Sequence, residues 1–165
     1  MRLLITATVF MVLSGSAWAQ TPAAPAPAAP PNDPTKASYM SAAEIAAGVA
    51  KLDKNAADVT YRVFQIPPYT VNVAHRAPVP NIANVHEAQA ELFIIMEGTA
   101  TMVTGGKLVE PTRDGTNLTG KSIEGGTPQK LSKGDFLIVP AGVPHWFSSI
   151  APGGITVTQL FLPKS

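Results

Sequence analysis

From residue 59 to residue 162 the chain alternates apolar and polar residues with a period of two, in short runs broken by glycine and proline. That pattern suits strands with one buried face and excludes long amphipathic helices over this stretch. The runs fall at 59–66 (VTYRVFQI), 69–74 (YTVNVA), 92–97 (LFIIME), 99–104 (TATMVT), 135–139 (DFLIV), 146–150 and 155–162 (ITVTQLFL). Many short strands at this spacing predict an all-β sandwich or barrel. The glycine-rich stretch 105–126 reads as a long hairpin or flap. One helix is expected before the strands. Ser41 and Glu44 form a capping box, and Ile45, Val49 and Leu52 recur on one face, which predicts a helix over 42–53.

The N-terminus has another character. Arg2 precedes the apolar run 3–13, and Ala17-Trp18-Ala19 has the small-x-small pattern of a cleavage site. Residues 1–19 therefore read as a bacterial signal peptide, and the mature chain as periplasmic or secreted. The apolar run is too short to span a bilayer, so no membrane partner is expected after cleavage. Residues 20–34 are mostly alanine and proline, the composition of an extended linker. One domain, 35–165, remains.

Composition then limits the chemistry. There is no cysteine, so thiolate metal sites, disulfides and cysteine nucleophiles are excluded. Twelve basic residues against eleven acidic ones give no field that would gather nucleic acid. Phosphate-binding glycine loops and the Gly-x-Ser-x-Gly nucleophile elbow are absent. Glu87 and Glu91, four residues apart along a turn, have no fixed separation and so do not define a glycosidase acid pair. Imidazole chemistry rests on three residues, His75, His86 and His145.

Two of these histidines sit in ordered company. His86 is followed by Glu91 and then Gly98 (HEAQAELFIIMEG); downstream, Gly134, Pro140, Gly142 and His145 stand in GDFLIVPAGVPH. The spacing resembles the two motifs of the cupin superfamily, G-x5-H-x-H-x3–4-E-x6-G and G-x5-P-x-G-x2-H-x3-N. The resemblance implies a jelly-roll (double-stranded β-helix) barrel enclosing a metal held by two histidines and a glutamate of the first motif and a histidine of the second. It carries His86, Glu91 and His145 over as ligands. The chain departs from the pattern at Asn84, where the first histidine would stand, at Pro78 for the leading glycine, and at Ser149 for the last asparagine.

Physical reasoning about the residues runs parallel. Asn84 and His86, two apart on a strand, share a face, and Glu91 shares one with Phe93 and Ile95. A carboxylate on an inward face needs a partner or a metal. Two imidazoles and one carboxylate suit one divalent transition metal such as Zn, Mn, Fe or Cu, with positions left open for a small-molecule ligand. In a metal-free barrel, His86 and His145 would instead be hydrogen-bonded interior residues, with Glu91 paired to one of them or to Arg76.

Asn84, His75 and Phe93 are further candidates for the ligand set or the pocket wall. His75 is expected to face solvent or anchor a loop more readily than to replace the missing histidine, and Phe93 is expected in the core. Trp146 should point away from His145, as a packing or interface residue, and a homodimer is one arrangement open to the chain. The resemblance implies either a metal-dependent enzyme, of the dioxygenase, isomerase or decarboxylase kind, or a non-catalytic binding protein.

Overall fold

The structure is a computed structural model, and it describes residues 31–164. The signal-peptide reading and most of the linker lie outside these residues. Within them, Asn32 pairs with Gln65: its N–H donates to the Gln65 carbonyl at 2.7 Å, and its Oδ1 accepts from the Gln65 N–H at 2.8 Å. The helix α1 (Ala42–Val49) starts on the expected capping box, with Ser41 and Glu44 bonded reciprocally. It ends earlier than the periodicity predicts. The Lys51 and Leu52 N–H groups reach back only three residues, to Gly48 and Val49, which tightens the chain out of the α-helix.

Eleven strands follow: β1 (Val59–Ile66), β2 (Tyr69–Arg76), β3 (Ala83–His86), β4 (Gln89–Thr104), β5 (Lys107–Val109), β6 (Thr112–Asp114), β7 (Asn117–Gly120), β8 (Ser122–Glu124), β9 (Thr127–Ser132), β10 (Phe136–Val139) and β11 (His145–Pro163). All pairings are antiparallel. One path runs β1-β2-β11-β3-β7-β6; β4 joins β11, β9 and β10, and β5 with β8 forms a separate ribbon. The stretch expected as a flap is thus two short hairpin-like pairings, one of which is stitched to β3, while the other buries Ile123.

The long partners β4 and β11 are each one strand where the glycines suggested two. Gly98 has φ +85 and Gly154 φ +83, so the chain bends there while pairing resumes on both sides. A Cβ on Gly98 would overlap the Gly154 carbonyl oxygen, so the absence of one allows the two bends to nest. Bent in this way, both strands contribute to both walls of the barrel.

Inward positions are apolar through the body of the barrel. Phe93, Ile95, Met102, Phe147, Ile155 and Val157 make up most of its core, with Phe93 and Phe147 edge to face at 5.8 Å. Among the inward positions, polar residues gather around one cavity, and there the site lies.

Candidate metal centre

Three strands bring the site together. His86 closes β3, Glu91 lies near the start of β4, and His145 opens β11. Alternation places Glu91 inward with Phe93 and Ile95; all three are at most 2% exposed. The second motif acts through its turn. Gly134 and Gly142 take positive φ, and the Gly142 N–H donates to the His86 carbonyl at 2.8 Å, which seats the turn before His145 against the end of β3.

Glu91 Oε2 lies 3.0 Å from His145 Nε2 and 3.4 Å from His86 Nε2. Neither approach is a directed hydrogen bond, and Oε2 is buried without a donor. The other oxygen, Oε1, accepts from Gln159 Nε2 at 2.8 Å. His86 Nδ1 meets Asn117 Oδ1 at 2.8 Å, and the ring lies edge-on to Phe161. A neutral His86 that donates from Nδ1 leaves the Nε2 lone pair facing Glu91. His145 is wedged by Phe93, edge-on at 5.9 Å.

Burial pushes the Glu91 carboxyl up, but the two adjacent imidazoles pull harder and hold it at about 2. His86 shows the reciprocal effect: burial and the Arg76 charge disfavour its protonation, yet Glu91 and Asn117 outweigh them and raise its pKa.

These residues fit a metal ion. His86, Glu91 and His145 each offer one ligand atom, all within 4.8 Å of one another. Ligands about 2.1 Å from a common ion stand about 3.0–3.4 Å apart at square to tetrahedral angles. The observed nitrogen–oxygen separations match, and the orphaned Oε2 is the atom such an ion would satisfy.

A cavity of about 190 Å³ opens beside the triad. Asn84 lines it, as do Asn72, Arg76, Gln159 and Phe161. Two candidates fall outside. His75 is not solvent-facing and lies apart from the triad: it is 3% exposed on the opposite face of β2, with Nδ1 3.0 Å from Thr156 Oγ1 and its ring against Gly154. Phe93 does not line the cavity; it is wholly buried and supports His145 from below. Arg76 does not pair with Glu91 but with Asp58, at 2.6 Å. Glu87 faces outward and forms a two-toothed ion pair with Arg113. Trp146 turns away from the site, and its indole N–H donates to the Asn81 carbonyl.

Gln159 and Asn117 were not among the candidates. Gln159 could have been found, because it occupies the inward parity of Ile155 and Val157, where a polar side chain is conspicuous. Asn117 could not, since it reaches His86 only through the β3–β7 register.

No protein-family model matches the sequence, and no curated protein is significantly similar to it. Solved structures do match. The cupin domain of Schizosaccharomyces pombe Cnp3 is 12% identical, with 70% of this chain and 66% of that domain covered at a TM-score of 0.50. TT1209 from Thermus thermophilus is 16% identical, with 71% and 95% covered at 0.50. An iron(II) form of HppE matches at 18% identity, with 64% and 50% covered, and a TM-score of 0.47. Bent, nested strands around an apolar core, the antiparallel pairing and the likeness to the Cnp3 domain agree: the chain has a cupin-type jelly-roll fold.

Proposed function

We propose that this protein holds one divalent transition metal on His86 Nε2, Glu91 Oε2 and His145 Nε2, and presents it to a small molecule in the adjoining cavity. The observation that carries this reading is the buried Glu91 Oε2, left without a donor between two imidazole nitrogens. A buried carboxylate oxygen in that position costs stability unless a cation satisfies it. When bound, the metal supplies Lewis acidity, polarising an oxygen of the small molecule.

The chain's own groups set the rest. Gln159 fixes the carboxylate, Asn117 orients one imidazole, and Phe93 and Phe161 pack edge to face against His145 and His86. Asn84, Asn72 and Arg76 remain to contact the small molecule. Nitrogen and oxygen donors suit zinc, copper, iron or manganese. A chain exported unfolded, as residues 1–19 suggest, would select copper or zinc by intrinsic affinity.

Elemental analysis of wild type, His145→Ala and Glu91→Ala tests the site. Stoichiometric metal in wild type alone is expected; equal content in all three, or none in any, overturns it. A metal-free binding protein is the competing reading. It is favoured by the 3.0 Å approach of His145 to Glu91, which suits a direct contact between imidazole and carboxylate with no ion between them, and a wild type without metal would select it.

A further inference from the structure

Four buried side-chain atoms lack a hydrogen-bond partner among the described residues: Asn72 Oδ1, His75 Nε2, Arg76 Nε and Glu91 Oε2. Three of the four belong to residues lining the one cavity beside the triad. Unpartnered polar atoms are rare in protein interiors, so their concentration on residues around one space points to what that space receives. On the metal reading, Glu91 Oε2 is accounted for. A donor, Arg76 Nε–H, and an acceptor, Asn72 Oδ1, are left over.

The Arg76 guanidinium is held in place. It lies over the Phe147 ring with 5.2 Å between its central carbon and the ring centroid. Its Nη1 donates to Asp58, which uses one of the five N–H groups such a side chain carries. The planar fork suits a carboxylate or a phosphate, and the small cavity favours the smaller carboxylate. Asn72 is 7% exposed and lines the cavity from the same strand, so its oxygen asks the ligand for a donor such as a hydroxyl.

Charge points the same way. Asp58 balances Arg76, whereas a divalent ion against the single Glu91 carboxylate leaves one positive charge for the ligand to neutralise. At about 190 Å³ the space is smaller than the roughly 300–1,000 Å³ that drug-sized molecules occupy.

We propose that the cavity binds a small hydroxycarboxylate anion, its carboxylate anchored on Arg76 and its hydroxyl donating to Asn72; the charge part of this assignment rests on the metal reading. Calorimetric titration of the zinc-loaded chain with lactate, lactamide and propionate tests it, with metal content measured on the same samples. Lactate should bind at least tenfold more tightly than either analogue. Arg76→Gln should abolish the preference over lactamide while keeping the metal, and Arg76→Lys should retain part of it.

Equal binding of lactate and lactamide overturns the anion anchor, and equal binding of lactate and propionate overturns the role of Asn72. A wild type that takes up no metal refutes the metal reading separately. The same comparison on metal-free protein then decides the anchor, which stands if Arg76→Gln removes a tenfold preference and falls if there is none.

Discussion

The Gln159 amide donates to Glu91 Oε1 at 2.8 Å across the β4–β11 pairing, so one oxygen of a buried carboxylate is occupied and the other is turned toward two imidazoles. This contact decides which oxygen is available to an ion. Its removal should therefore be felt at the metal before it is felt in the fold.

Gln159→Leu should leave the fold intact and weaken metal binding roughly 10–100-fold, the usual cost of losing an outer hydrogen bond to a ligand. Competition against a chelator of known affinity measures this. Unchanged affinity would mean that Glu91 is positioned by packing alone.

Asn117→Leu should also weaken the metal, by a similar factor of about 10–100, because His86 loses the partner that fixes its tautomer. Asn117→Asp should instead raise the His86 pKa further, which nitrogen-detected NMR of the imidazole would show. A leucine variant with wild-type affinity would count against the role assigned to Asn117.

Acid should expel the metal. His86 must be neutral to ligate, and its pKa lies above the ordinary 6.5, so affinity should begin to fall above pH 6.5 as pH is lowered. Glu91, held at about 2, stays ionised throughout and adds no pH dependence there. Calorimetry in buffers of different ionisation enthalpy should detect proton release on binding near neutrality.

Metal-free protein should show the opposite trend. A raised His86 pKa stabilises the fold fully below 6.5, and that contribution is lost as pH rises through the raised value. A lowered Glu91 pKa stabilises it above 4.5, and that contribution is lost as pH falls toward about 2. Their overlap puts greatest stability between pH 4.5 and 6.5, and adding metal should move the optimum upward. Thermal melts with and without a chelator across this range check both statements.

Gly98→Ala should destabilise the barrel by at least about 1–3 kcal/mol, the cost of a left-handed backbone at a residue with a side chain. Overlap with the Gly154 carbonyl adds to it. Urea unfolding gives the figure directly.

Much of this was readable in the sequence, for identifiable reasons. Period-two alternation put Glu91 on the inward face with Phe93 and Ile95 because strand parity is a local property. The motif glycines revealed the turn that carries His145, since a positive φ favours glycine. The same feature misled at Gly98 and Gly153-Gly154, which read as strand ends although pairing resumes beyond them. His75 seemed terminal because alternation fades at Ala74, but β2 runs on to Arg76 and Thr156 lies opposite His75. Asn117 depended on the distant register of β7 against β3, which local pattern does not encode.

One carboxylate, that of Glu91, is approached by His145 from the beginning of β11 and by Gln159 from beyond its bend. The exposed Pro152-Gly153 corner lies between them. A protease cut at this corner would leave His86, Glu91 and His145 on one fragment and Gln159, the partner that fixes Glu91, on the other. A gain in metal affinity on remixing the fragments would then report the return of Gln159 to Glu91, making the site an internal gauge of whether the barrel has closed.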